Sequence, residues 1–455
     1  MQQQPRLPLW FLIANWMLIA AAFAVGIMLG GRHIADLPEP QGAALQLVYR
    51  EILRSHVDPQ EGGRLLDRAI TGMVRSLDPY SRYVAPSEVR QYEEDNTGHY
   101  EGVGLEMAAH EDEIVVYYPF PGGPAERAGI RPGDRLVAVD GLALDTADRR
   151  RRVAELVRGH AGTEVRLQCR RDDGTVEFTV RRGDVQKSCV KWAHFVDPGS
   201  GLAYVHVADF HPGGGKQLVD AIAALQRSAP LRGLVLDLRF DGGGSLDECI
   251  AIANAFLPTG LIVSQQRRSS EVVERYEAKA ELCLFPDLPL VVLVNEASAS
   301  ASEVLAGALQ DHARAAIVGE RTYGKAFVNT VYTWKDYDFR LKLTTGAYLT
   351  PNGRKIERHH LPDGATAAAD TGGIPPDVVV SVTKEQRLAI DKRLGDHEPP
   401  AVYLAAFTAV AARHGVQVPG PPTVAEDPQL AQAVSTLRNR IVGATTTTTE
   451  PGKDK

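Results

Sequence analysis

Cysteine is scarce, with four in 455 residues. Cys169, Cys189, Cys249 and Cys283 lie far apart and form no CxxC pair, so zinc and thioredoxin-like chemistry lack their spacing. They are expected to be buried thiols; joining a pair such as Cys169 and Cys189 needs a geometry that sequence does not fix. An excess of one charge is also missing. The formal charge of −7 comes from acidic and basic residues mixed along the chain, which excludes a field suited to a nucleic-acid backbone. Arg149 to Arg152 is the dense basic cluster and reads as a solvated helix face. No internal repeat is evident, so no array of repeated units is expected.

What is present begins with 44% hydrophobic residues, enough for ordinary cores in about two to four domains. Leu9 to Leu29 carries no charge and is long enough to span a bilayer. It runs into Gly30, Gly31 and Arg32 without an obvious stop, which favours an uncleaved anchor, while Ala20, Ala22 and Ala24 leave signal cleavage open. Either way the body is expected on the extracytoplasmic, periplasmic side of the cell membrane. Arg6 and Arg32 flank the segment evenly, so orientation rests on export and not on charge bias.

After a Pro/Gly linker, Leu45, Val48, Ile52 and Leu53 recur at helical spacing, as do Leu65, Leu66, Ile70, Met73 and Leu77, which predicts two amphipathic helices forming a cap. From Tyr100 short β-like runs broken by Gly and Pro predict a compact β-rich domain, interrupted by one helix at about Thr146 to Arg158. From Gly201 strands and helices alternate, which predicts crossover units and a mostly parallel sheet. Two further helices are expected near Val402 to Arg413 and Pro428 to Ile441, followed by a polar tail.

Three segments can carry chemistry. In NEASASASEVLAGALQD, Ser300 stands where a buried strand gives way to a helix. There a serine oxygen can attack a carbonyl while the Ala301 N–H steadies the oxyanion. The bland alternative is specific: Ser300 to Glu303 is a capping box that closes a helix end. The strand Leu234 to Leu238 empties into a loop ending Asp241-Gly-Gly-Gly244, whose main chain can approach a ligand closely, making the Gly243 N–H a second oxyanion candidate or simply part of a turn.

The third segment, Gly319 to Phe327, matches most of a nucleotide-binding P-loop. Against that reading, Ala326 stands where a magnesium-binding hydroxyl belongs, and FVNTVYTW reads as a strand where a helix is required. Lys325 can instead be a general base if burial lowers its pKa from about 10.4 toward neutrality. Such a base needs no histidine, and His312, His359 and His360 form the pool for a conventional triad.

These segments, together with AITGMVRSLDPYSRYV, LVLDLRFDGGGSLDE, VGERTYGKAFVNTVY and LTTGAYLTPNGRKI with the later PPDVVV, resemble the carboxy-terminal processing proteases, or tail-specific proteases, over nearly the whole chain. The resemblance implies a multidomain α/β chain with a mostly parallel-sheet, crotonase/ClpP-like protease core, a PDZ β-sandwich or barrel, an N-terminal helical cap and an N-terminal transmembrane helix. It places the nucleophile on Ser300, the base on Lys325, the oxyanion donors on Gly243 and Ala301, and support on Ser298 and Ser302. This chain departs from the family at Asn329, where a glutamine usually holds the lysine, at Ala326 in place of glycine, and at Asp241-Gly-Gly-Gly244 in place of Asn-Pro-Gly-Gly. Asn329 keeps the amide but is one methylene shorter, so Lys325 is expected to be held less firmly or the loop to sit closer.

The stretch around YEGVGLEM and GGPAERAGIRPGDRLVAVDG looks like a PDZ domain. Gly102, Val103, Gly104 and Leu105 would receive a chain-terminal carboxylate as the peptide adds a strand, and Arg158 is a candidate sensor of the bound tail or a bland helix-end cation. The resulting division is anchor 1–36, cap 37–97, PDZ 98–185, core 186–385, C-terminal helical region 386–443 and disordered tail 444–455. The expected activity is exported serine endopeptidase action on apolar C-terminal tails through a Ser-Lys dyad, with no cofactor or metal. The alternatives are a catalytically weak PDZ scaffold at the membrane and an NTPase. Expected partners are tail-bearing proteins and the membrane, with the C-terminal helices assembling a homo-oligomer or docking an activating adaptor.

Overall fold

The computed structural model describes residues 37–110, 112–172, 174–197, 199–267, 271–358, 372–395, 403–414 and 420–447. The expected membrane segment, Leu9 to Leu29, and His359 and His360 lie outside these residues. Among the described residues no helix is long and apolar enough to cross a membrane. The chain divides between Ser76 and Leu77 into two compact units.

The first unit holds α1 (Gln41–Ser55) and α2 (Gly62–Arg75), the two helices predicted from apolar spacing. Gly62 opens α2 against the Tyr49 ring and Leu53 of α1. Leu47, Val48 and Met73 stay exposed, so the periodicity marks an apolar face that these two helices alone leave uncovered. The cap expected over 37–97 is therefore shorter, because residues 77–97 belong to the second unit.

In the second unit β1 (Arg82–Val84) and α3 (Val89–Thr97) precede the β-rich domain. That domain contains β2 (His99–Gly102), β3 (Leu105–His110), β4 (Glu113–Pro119), α4 (Pro124–Arg127), β5 (Arg135–Val139) and β6 (Leu142–Ala143). It continues with α5 (Ala147–Arg151), α6 (Val153–Val157), β7 (Glu164–Arg171), β8 (Gly174–Arg181) and β9 (Gly183–Gln186). The sheet runs β3-β4-β5-β7-β8, and a β2-β9 ribbon ties its two ends together. Strict alternation along β7 sends Val165, Leu167 and Cys169 inward to meet Val180, Ile114 and Leu136. The single helix expected from Thr146 to Arg158 is two short ones, broken at Arg152. Its basic run is no open patch: Arg149, Arg150 and Arg152 pair with Asp145, Asp112 and Glu155.

The core contains β10 (Val190–Asp197), β11 (Leu202–Val207), α7 (Gly214–Ser228), β12 (Gly233–Asp237), α8 (Leu246–Phe256), β13 (Leu261–Arg267) and β14 (Val272–Glu277). There follow β15 (Leu290–Val294), α9 (Ala301–Asp311), β16 (Ala315–Gly319), β17 (Phe327–Trp334), β18 (Tyr337–Leu349) and β19 (Val378–Val379). The chain closes with α10 (Lys384–Gly395), α11 (Leu404–Arg413) and α12 (Pro428–Thr447).

The central sheet, β10-β11-β12-β15-β16-β19, is parallel apart from its β10-β11 pair. Strands β11, β12 and β15 are buried at every residue, as expected of parallel strands covered on both faces. Leu234 and Leu236 face a cluster with Ile222, Ile252 and Leu305 of α7, α8 and α9. Val235, Val291 and Leu293 face Ile390, Leu430 and Leu437 of α10 and α12. Buried charges tie the second cover to the sheet. Arg239, fully buried, bonds Asp237 at 2.6 Å, Asp427 at 2.7 Å and Gln429 at 3.0 Å.

Two features correct the expected architecture. Beside the parallel sheet stands a wholly antiparallel one, β1-β18-β13-β14 with β17 on β18, so antiparallel pairing dominates among the described residues. The C-terminal region is also not one body. Helices α10 and α12 cover the core sheet, whereas Phe407 of α11 packs on Tyr117 and Tyr118 of β4, and α12 continues through Thr447 into the segment expected to be a tail.

Candidate active site

Strand β15 delivers the chain to the carboxyl edge of the parallel sheet, and α9 leaves from there. Ser300, between them, has φ 58°, a left-handed conformation that is strained for a serine. The capping box is present: Ser300 N–H donates to Glu303 Oε2 at 2.9 Å, and the Ser300 side chain accepts from the Glu303 N–H. Its carboxylate does more than close a helix. Glu303 also accepts from Thr322 Oγ1 at 2.5 Å, Gly324 N–H at 2.6 Å and Lys325 N–H at 2.8 Å. One buried carboxylate thus fixes both the turn bearing Ser300 and the loop bearing Lys325. Flanking serines hold the same turn: Ser298 Oγ donates to Leu238 C=O at 2.7 Å and Ser302 Oγ to Asp241 C=O at 3.1 Å.

Ser300 and Lys325 line one open cleft of about 480 Å³ together with Gly243, Asn329, Lys342 and Tyr348. Burial pushes the Lys325 ammonium below its ordinary value, and the Glu303 carboxylate pulls it back in part. Its Nζ lies 5.5 Å from the centroid of the Tyr80 ring. Asn329 makes no hydrogen bond to Lys325. Both polar atoms of its amide are buried without a hydrogen-bond partner, one methylene short of the reach a glutamine has.

The two expected oxyanion donors differ. Ala301 N–H opens α9, where first-turn amides have no partner inside the helix. Gly243, at φ 88°, presses on Ser300 so closely that a Cβ there would lie 2.8 Å from Ser300 Cβ and 2.6 Å from Ala299 C=O. Its N–H, however, turns back onto Asp241 Oδ1 at 2.8 Å. Asp241 is fully buried, and burial pushes its carboxyl far above the usual range.

Of the histidine pool, His312 is spent on the Leu261 carbonyl at 2.7 Å. The histidine that does line the cleft is His211, which nothing in its sequence context marks. Its ring nitrogens face Asp209 at 3.0 Å and the Asn96 carbonyl at 3.3 Å, so neither is turned to Ser300. The P-loop alternative fails on the same geometry. The loop amides of Gly324 and Lys325 already hold a carboxylate, and the chain continues as strand β17, not as a helix.

In the β-rich domain β3 is an edge strand, open to an added strand. The loop before it turns at Gly104, φ 70°, with Gly102, Val103 and Leu105 buried. Carbonyls of Val103 and Gly104 accept from Ala125 and Phe120 N–H, which leaves the loop rigidly set. Arg158 is not a free cation. It pairs with Glu94 of α3 at 2.9 Å and lies over the Tyr100 ring at 5.1 Å. Because Tyr92, Asp95 and Asn96 of α3 wall the cleft, Arg158 joins the end of α6 to that wall.

A covered parallel sheet with a strained serine at a helix start, joined to a PDZ-like domain, defines the class: a PDZ-bearing serine peptidase. Comparison with known proteins agrees. Residues 201–380 match the model of peptidase family S41, and residues 115–171 match that of the PDZ domain. The carboxy-terminal-processing protease of Bartonella bacilliformis is 33% identical over 357 residues, 77% of this chain and 78% of that protein. The carboxy-terminal processing protease CtpA of Bacillus subtilis is 30% identical over 361 residues, 78% of this chain and 75% of that one. Among solved structures, the photosystem II D1 C-terminal processing protease aligns over 79% of this chain and 98% of its own, with 29% identity and a TM-score of 0.42. The chain belongs to the carboxy-terminal processing proteases.

Proposed function

We propose that this peptidase cleaves protein tails through an acyl-enzyme on Ser300, with Lys325 as its base. The neutral Lys325 amine takes the Ser300 Oγ proton as that oxygen attacks the scissile carbonyl. The oxyanion forms against Ala301 N–H, and against Gly243 N–H once that group leaves Asp241. The ammonium of Lys325 then returns the proton to the departing amine, and a water, deprotonated by the same lysine, hydrolyses the ester. The observation that carries this reading is the shared Glu303 carboxylate, which holds both reactive loops on one cleft.

The PDZ domain takes the tail along β3, with its terminal carboxylate at the amides of Val103, Gly104 and Leu105, and Arg158 transmits that event through α3. Apolar tail residues are the preferred ligands. Residues Leu9 to Leu29 anchor the enzyme in the membrane with the catalytic body in the periplasm, where α11 and α12 offer surfaces for a second copy or an adaptor. Cleavage of a tail peptide tests the chemistry: Ser300→Ala and Lys325→Ala should each abolish it, and full activity in either variant removes the mechanism.

A second reading, a weakly catalytic scaffold, has its own support in the unpartnered Asn329 amide and in the Gly243 N–H held by Asp241. Stoichiometric labelling by an active-serine probe argues against it.

A further inference from the structure

The hairpin of β17 and β18 presents one face to the cleft. Asn329 stands opposite Thr344 and Val331 opposite Lys342, and directly opposed residues share a face, so Asn329 and Lys342 are diagonal neighbours on it. A bulge between Val328 and Asn329 re-aims the strand just after Lys325. Lys342 lines the same cleft as Ser300. Among the described residues its ammonium forms no ion pair and no hydrogen bond. The charges acting on it are positive: Lys325 in the cleft and Arg82, its cross-strand partner on β1, itself paired with Glu88. The neighbouring Asn329 amide is unpartnered at both ends. An ammonium half withdrawn from water and repelled by Lys325 and Arg82 is unfavourable unless something supplies an anion.

We propose that this face is a subsite for a carboxylate of the substrate, bound by the Lys342 ammonium with the Asn329 amide as its second donor. The proposal rests on the cleft being the peptide-cleaving site. The ligand is a monoanion: Asp95 and Asp209 on the cleft walls set it against a doubly charged phosphate. Lys342 lies beyond Asn329 from the lysine loop, about 7 Å along the strand at two residues' rise, which corresponds to a substrate side chain two or three residues from the scissile bond. Two carboxylates have that chemistry, an acidic side chain at such a position and the new C-terminus of a released product once it has shifted two or three residues along the cleft. The Asn329 amide is covered in the free cleft, so the ligand engages Lys342 first and reaches Asn329 as neighbouring side chains give way.

Binding is measured in the full chain carrying Ser300→Ala, with peptides that differ only as Glu against Gln at each of three positions on either side of the cleaved bond. A second pair, a product peptide ending in an acid or an amide, separates the two sources. The parent should prefer the carboxylate by about tenfold in one arm. Adding Lys342→Met should erase that preference, and Lys342→Arg should keep it. No carboxylate preference in either arm, a preference that survives Lys342→Met, or one lost in Lys342→Arg as well overturns the subsite. Where Lys342→Met fails to fold, salt decides in the parent alone: the preference must shrink as ionic strength rises, and a salt-independent preference refutes a charged contact. Peptide cleavage is followed in the same samples. Turnover by the Ser300→Ala protein would sink the nucleophile assignment and leave the binding result to be judged separately.

Discussion

The two walls of the cleft are built on opposite terms. On the helix wall most polar groups that shape the turn are paired, the buried Asp241 Oδ2 excepted: Ser298 and Ser302 bond the strand-end carbonyls, and Glu303 collects four donors. On the hairpin wall the Asn329 amide and the Lys342 ammonium have no partner among the described residues. Preorganisation belongs on the side where charge develops during reaction, and unspent hydrogen-bonding capacity belongs where a ligand will lie. The contrast assigns the helix wall to chemistry and the hairpin wall to recognition.

The largest expected effect comes from removing the tie between the walls. Glu303→Ala leaves four donors unpaired, two of them in buried contacts, and frees the lysine loop, so kcat for a tail peptide should fall by about a hundredfold or more. Near-normal turnover in that variant would show that the walls are held by something else. Glu303→Gln gives the sharper version. The carboxylate raises the Lys325 pKa against burial. Activity needs the neutral amine, so it is present above that pKa and lost as pH falls through it. Without the carboxylate charge the acid limb of the kcat/KM profile should move to lower pH, whatever happens to kcat.

Next in size is stability behind the helix wall. Arg239→Ala strands the buried Asp237 and Asp427 carboxylates, and should cost about 3–5 kcal/mol in denaturant unfolding. A smaller effect is expected on the hairpin wall. Asn329→Gln lengthens the amide toward Lys325 and should raise kcat by about three- to tenfold; unchanged kinetics would mean the amide never served the lysine. The smallest effect is at Asp241→Asn, which preserves the turn to Gly243. Burial pushes the Asp241 carboxyl above the usual carboxylate range, so wherever it stays protonated the variant should match the parent within about twofold. Only where rising pH ionises that carboxyl, so that the parent gains a charge beside the oxyanion position, should the parent lose activity that the variant keeps.

Much of the helix wall was legible in the residues. Fully apolar runs such as LVLDL announce a strand buried on both faces, and a small-residue turn before SEVLAGAL announces where it meets a helix. The capping box and the active-serine readings of Ser300 looked like rivals. They are one structure, because the cap residue Glu303 turns out to reach Thr322 and Gly324, a contact between segments about twenty residues apart that no local pattern encodes. The hairpin wall was less readable. FVNTVYTW was recognisably a strand, but its pairing with β18, and β18 with β1 and β13, depends on long-range register, so neither the antiparallel sheet nor Lys342 stood out. Arg158 and Gly243 can be singled out from their motifs, yet their partners, Glu94 and Asp241, follow from tertiary packing and from a two-residue side-chain turn.

The most direct test of the account is the covalent one. A serine-reactive peptide analogue should leave its mass on the peptide that contains Ser300, and the labelling should vanish when Lys325 is changed to alanine. Label found on another residue, or label on Ser300 that forms equally fast without the lysine, would contradict it.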